Sequence, residues 1–82
     1  MPKIIFYGAP WCGDCIRSRK VFNDLNVPYE YIDIDAVPAA ADKVSELNGG
    51  YKSIPTIVFP DGTVMVEPTN AELTEKLKTF VV

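Results

Sequence analysis

The chain begins with a short, nearly unbroken apolar run over residues 3–7, closed by Gly8. A run of that length without polar alternation predicts a strand covered on both faces, and so one with a parallel neighbour. From Gly13 to about Leu25 the apolar residues Ile16, Val21, Phe22 and Leu25 recur near the helical period, with Arg17, Arg19, Lys20 and Asp24 between them. That pattern predicts an amphipathic helix. Asn26 and Pro28 stop it, and the aromatic and β-branched stretch 29–34 reads as a second strand. A right-handed crossover through the helix makes the two strands parallel.

Pro38 suits the first turn of a second helix, in which Ala40, Val44 and Leu47 recur at i, i+4 and i+7 before Asn48-Gly49-Gly50 ends it. Residues 56–59 and 64–66 are strand-like runs separated by Pro60-Asp61-Gly62, which predicts an antiparallel hairpin. Thr69-Asn70-Ala71-Glu72 has the form of a capping box, and Leu73, Leu77 and Phe80 continue at helical spacing. The expected fold is therefore α/β in the order β-α-β-α-β-β-α, a four-stranded mixed sheet flanked by three helices. Its core is expected to draw on Phe22, Leu25, Val44, Leu47, Leu73, Leu77 and Phe80.

Composition narrows what such a domain can do. With 82 residues the chain is expected to form one domain over 1–82. Eight Lys and Arg against eleven Asp and Glu provide no basic field for nucleic acid or an anionic membrane, and both are excluded as expected partners. The apolar run 4–7 is far too short for a signal-peptide core or a membrane span, so a cytoplasmic location is expected. The sequence has no histidine, which removes Cys–His and Ser–His nucleophile pairs and every histidine-containing zinc site.

Two cysteines remain, in Cys12-Gly13-Asp14-Cys15. Alone they cannot fill the four positions of a closed zinc site, so no metal ligands are assigned. A bond between them would close a tiny loop and restrict the unfolded chain little, which points away from a stabilising role. Packing, metal binding and redox chemistry all use such a pair. A strand before it and a helix after it favour redox work. Cys12 at the helix start meets the positive end of the macrodipole, which favours thiolate over thiol, and Cys15 is close enough to attack a mixed disulfide on Cys12. Cys12 is the expected nucleophile, Cys15 is expected to be more buried, and Gly13 is expected to ease a tight turn into the helix. Asp14 brings a like charge beside the reactive sulfur and works against the thiolate.

Trp11-Cys12-Gly13-Asp14-Cys15 after the first strand, Ile54-Pro55-Thr56 at the third, and Asp61-Gly62-Thr63 in the hairpin together resemble the thioredoxin superfamily and, within it, the glutaredoxin family. Asn48-Gly49-Gly50-Tyr51-Lys52 and Glu67-Pro68-Thr69 look most like its mycoredoxin or actinobacterial branch. The resemblance implies a thiol–disulfide oxidoreductase with Cys12 and Cys15 catalytic, a cis Pro55 opposite them, and Ile54 offering backbone hydrogen bonds to a bound thiol. Trp11 is expected on a docking surface, while Lys52 and the helix start at Thr69 and Asn70 are candidates for holding ligand carboxylates. The chain departs from the family pattern at Asp14 and Ala9, where tyrosine and lysine are common, and at 67–70, where a Gly-Gly-Ser/Cys-Asp run is usual.

The implied co-substrate is a low-molecular-weight thiol of the glutathione or mycothiol type, with no tightly bound cofactor. The implied partners are disulfide-containing or thiol-modified proteins, and the chain is expected to be a monomer. Two other readings stay open: a thioredoxin-like hydrogen donor recharged by a flavoprotein thioredoxin reductase, and an iron–sulfur carrier in which Cys12 thiolates of two chains share a cluster.

Overall fold

The computed structural model describes residues 3–80. The elements run β1 (Ile5–Gly8), α1 (Gly13–Asp24), β2 (Glu30–Asp33), α2 (Pro38–Leu47), β3 (Thr56–Val58), β4 (Val64–Val66) and α3 (Asn70–Leu77), closed by a 3-10 turn at Lys78–Phe80. The sheet order is β2-β1-β3-β4, with β1 parallel to β2, antiparallel to β3, and β3 antiparallel to β4. This is the expected mixed sheet, and one of its two inner strands is the apolar run near the start of the chain.

Alternation along β1 divides the core. Phe6 faces one side and packs with Phe22, Ile57, Leu73 and Leu77, which places α1 and α3 on that face. Tyr7 faces the other and packs with Ile34, just after β2, and with Ala40 and Val44, the inner residues of α2. The larger cluster is rich in rings: Phe6 meets Phe22 edge-on at 5.8 Å between centroids, and Phe22 meets Tyr29 at 4.6 Å. Asn26, at φ 56, takes the left-handed conformation that stops α1, and Gly62, at φ 89, turns the β3–β4 hairpin.

Three expectations are corrected. Ile16 is 59% exposed, because the inward stripe of α1 begins at Cys15 and runs through Ser18 to Phe22, with Val21 and Leu25 packed alongside. Leu47 lies on the surface at the end of α2. The inward place next to it goes to Asn48, whose amide donates to the Thr56 hydroxyl at 3.1 Å. The last helix tightens to 3-10 geometry after Leu77, and Phe80, half-buried, stacks on Phe59 at 5.5 Å.

The hairpin is clasped to α3 by Lys76, which donates to Asp61 at 2.6 Å and to the Thr63 hydroxyl at 3.2 Å. The Lys76 ammonium first, and the Thr63 backbone N–H second, pull the Asp61 carboxyl down to about 2. A carboxyl lowered on folding stabilises the native state above its unfolded value, and this contribution vanishes as pH falls through the folded one. Asp61→Asn is therefore expected to lower the melting temperature at pH 7, with the gap to wild type closing as pH drops from 3.8 towards about 2. Melting curves across that window check it; a gap that persists at the acid end contradicts the assignment.

Among the described residues no helix is long and apolar enough to cross a membrane, and no cluster of three or more His, Cys, Asp or Glu side chains could hold a metal ion.

Candidate active site

The site is built where β1 gives way to α1. The Cys12 N–H donates to the Ala9 carbonyl at 3.2 Å, which folds the connection back and leaves Cys12 as the N-cap of α1 in an extended conformation. Its sulfur does what a capping oxygen does elsewhere, accepting the Cys15 N–H at 3.2 Å. An N-cap position also aims the helix dipole at that sulfur. Both cysteines are reduced.

The two sulfurs live in different surroundings. Cys12 keeps 8% exposure and Cys15 has none. Burial pushes the Cys15 thiol up to about 12, helped by its hydrogen bond and charge interaction with Cys12 and by the Asp14 carboxylate, against a backbone hydrogen bond to Ala9 that lowers it. The inner sulfur therefore holds its proton until something draws it off, whereas the outer one keeps some exposure and caps the first turn of α1.

Gly8 makes room for this pair. A Cβ there would lie 2.9 Å from Cε1 of Phe6, 3.0 Å from Sγ of Cys15 and 3.3 Å from Cε1 of Tyr31. Gly8→Ala is expected to cost ~1–3 kcal/mol by overpacking, or roughly 4–8 °C of melting temperature per kcal/mol in a domain of this size. Thermal melts of the reduced protein test it; an alanine variant as stable as wild type would mean the three groups yield without strain. Gly13, by contrast, has open space around its Cβ position and no left-handed backbone, so the turn into α1 does not require glycine there.

Trp11 is 69% exposed beside Cys12, and its indole N–H donates to Asp35 at 2.6 Å. This tethers the ring to the segment following β2. The Ile54–Pro55 bond is cis, and Pro55 is buried. Since β1 and β3 pair Tyr7 with Thr56, Pro55 lies one step further along, beside the end of β1 that leads to the cysteines. The Glu67 N–H donates to the Pro55 carbonyl at 2.9 Å and fixes that segment from the other side. Lys52 is exposed, two residues before Ile54.

At α3 the capping box is complete: the Thr69 hydroxyl accepts the Glu72 N–H at 3.1 Å, and the Thr69 N–H donates to the Glu72 carboxylate at 2.9 Å. The Thr69 hydroxyl thus has a structural partner already. Asn70 is drawn towards the cysteine helix by Arg17, whose guanidinium donates to the Asn70 side-chain carbonyl and, at 3.2 Å, to the Pro68 carbonyl, and lies 3.6 Å from Asp14. The sequence pattern sets Arg17 among the charged residues of α1 without linking it to Asn70, and it does not single out Asp35. Both act through contacts more than twenty residues away, which local spacing does not reveal.

A strand leading to a helix capped by one cysteine, with a second cysteine buried in its first turn and a cis proline on the neighbouring strand, defines a thiol–disulfide redox domain of the thioredoxin-like class. A sequence model of the glutaredoxin family, described as Glutaredoxin, matches residues 4–65. A Mycobacterium tuberculosis protein assigned to the glutaredoxins is 34% identical over 74 residues, covering 90% of this chain and 88% of that one. Mycoredoxin 1 of Corynebacterium glutamicum is 30% identical over 80 residues, 98% of this chain and 99% of its own. Among solved structures, a glutaredoxin of Archaeoglobus fulgidus superposes with a TM-score of 0.75 at 26% identity, over 96% of this chain and 85% of that one. The chain belongs to the glutaredoxin family, and it is a thiol–disulfide oxidoreductase.

Proposed function

We propose that this protein reduces protein disulfides and mixed disulfides through a dithiol cycle recharged by a low-molecular-weight thiol of the glutathione or mycothiol type. The asymmetry of the two sulfurs carries the reading: one caps a helix and keeps some exposure, and the other is fully buried behind it with its proton held to about 12. Cys12 attacks the target disulfide, one target sulfur leaves as a thiol, and a mixed disulfide remains on Cys12. Cys15 then attacks Cys12, the second target sulfur leaves, and the chain holds a Cys12–Cys15 disulfide. Two electrons have passed to the target, and two external thiols return them.

Trp11, held by Asp35, offers an exposed apolar ring beside the nucleophile for target docking. Ile54, before the cis bond to Pro55, offers backbone hydrogen bonds that would align an extended thiol compound. Lys52 and the α3 start at Thr69 and Asn70 are the candidates for ligand carboxylates, with Arg17 holding Asn70 in place. A reducing compartment such as the cytoplasm suits both thiols.

The test is a trapping experiment. Reduced Cys15→Ser protein mixed with a peptide disulfide is expected to accumulate a mixed disulfide mapped to Cys12, while wild type passes to an internal disulfide two hydrogens lighter. Wild type that stops at the mixed disulfide overturns the dithiol route, and modification of Cys15 first overturns the assignment of the nucleophile. Turnover supported by NADPH and a thioredoxin reductase, but by neither thiol, overturns the proposed electron source.

A further inference from the structure

Tyr31, on β2, carries a hydroxyl that is shut off from solvent and makes no hydrogen bond in the reduced protein. Leaving a buried hydroxyl unpaired costs ~1–3 kcal/mol, and phenylalanine would keep every ring contact there: Phe6 at 5.9 Å and the Arg19 guanidinium 3.9 Å above the ring centre. The oxygen is not needed for packing.

Its neighbours suggest what it is for. The point at Gly8 that a Cβ would occupy is touched both by Sγ of Cys15 and by Cε1 of Tyr31, the ring carbon next to the one that bears the hydroxyl, so sulfur and tyrosine ring flank one small space. Arg19 lies one helical turn after Cys15, on the same face of α1, and is held by the Tyr29 hydroxyl at 3.1 Å. A cation over the ring makes the phenol a stronger hydrogen-bond donor.

We propose that the Tyr31 hydroxyl is the hydrogen-bond donor for the Cys15 sulfur during the resolving step. This rests on the dithiol reading above. As Cys15 loses its proton, Sγ gains charge and the Tyr31 O–H donates to it. Sγ then bonds to the Cys12 sulfur, the bond from Cys12 to the target sulfur breaks, and the departing thiolate takes up the proton that Cys15 lost. The same pocket accounts for the way burial raises both the Cys15 thiol and the Tyr31 phenol, with Arg19 pulling the phenol back down. The other charged or titratable groups acting on this pair are Cys12 and Asp14 at the start of α1, Tyr29 beside Arg19, and Asp33 on β2; β1 and α3 contribute only hydrocarbon, from Phe6, Leu73 and Leu77.

A coloured aryl disulfide reads both steps in one stopped-flow trace: the first aryl thiol is released when Cys12 attacks, the second when Cys15 resolves. In Tyr31→Phe the pH midpoint of the second release is expected to rise by about one unit, roughly ten-fold slower near neutrality, with the first release unchanged. Site-specific difluorotyrosine at position 31, a stronger donor, is expected to shift the midpoint the opposite way. Tyr31→Phe is also expected to melt no lower than wild type. An unmoved midpoint, equal slowing of both releases, a shift in the same direction with difluorotyrosine, or a large loss of stability each overturns the proposal while leaving the dithiol cycle standing. Wild type that releases no second aryl thiol overturns both.

Discussion

Cys12→Ser is expected to abolish turnover of disulfide substrates, a loss on the order of a thousandfold or more, as when other enzymes lose their nucleophile. The loss is categorical because the intermediate is a sulfur–sulfur bond, which a serine oxygen cannot form, and an alkoxide is not accessible near neutral pH. Cys15 cannot stand in, since it has no exposed surface and keeps its proton up to about 12. The fold is expected to survive intact. Serine is among the best N-cap residues, and its oxygen accepts the Cys15 N–H at least as well as sulfur does. Loss of activity without loss of melting temperature is thus the diagnostic pairing, measured by a coupled turnover assay and a thermal melt on the same preparation. A Cys12→Ser protein that still turns over at a measurable fraction of the wild-type rate would place the nucleophile elsewhere.

The largest expected effect on stability is at Phe22. Its side chain is fully buried, edge-on to Phe6 at 5.8 Å and 4.6 Å from Tyr29, and it is the residue by which α1 is seated on the sheet. Phe22→Ala is expected to cost ~3–5 kcal/mol from lost transfer energy and the cavity left behind. Domains of this kind have only about 5–15 kcal/mol in total. The midpoint of urea unfolding is expected to fall accordingly, with a smaller companion effect from Leu73→Ala, whose side chain shares the cluster. A Phe22→Ala loss below about 1 kcal/mol would mean that the neighbouring rings collapse into the space.

The element order was readable because apolar runs and helical periods are local properties, and every predicted strand and helix appears within a residue or three of its expected bounds. What failed was phase. Ile16 and Leu47 look like core by hydropathy, yet Cys15 and Ser18 in α1 and Asn48 after α2 take the inward places. Cys15 brings a sulfur into the site and Asn48 donates to the Thr56 hydroxyl, contacts that a hydropathy pattern does not register. The Cys12 and Cys15 pair was legible from its spacing together with the strand before it and the helix after it, and the cis bond before Pro55 from resemblance. The fixing of Trp11 by Asp35, the clasp of Arg17 on Asn70, and the space left by Gly8 are tertiary facts. Each joins segments that only the folded chain brings together.

The unequal division of apolar residues between the two faces of the sheet sets the order in which the molecule comes apart. On one side, the rings of Phe6 and Phe22 and the side chains of Leu73 and Leu77 lock α1 and α3 together with the cysteines. On the other, α2 is held mainly by Ala40 and Val44 against Tyr7 and Ile34, with no side chain capping its first turn. Local opening therefore begins at α2, and its amide protons exchange with solvent at a lower free energy than those of α1. The redox centre is thus expected to stay closed while α2 opens, which hydrogen exchange of the α1 and α2 amides would read directly.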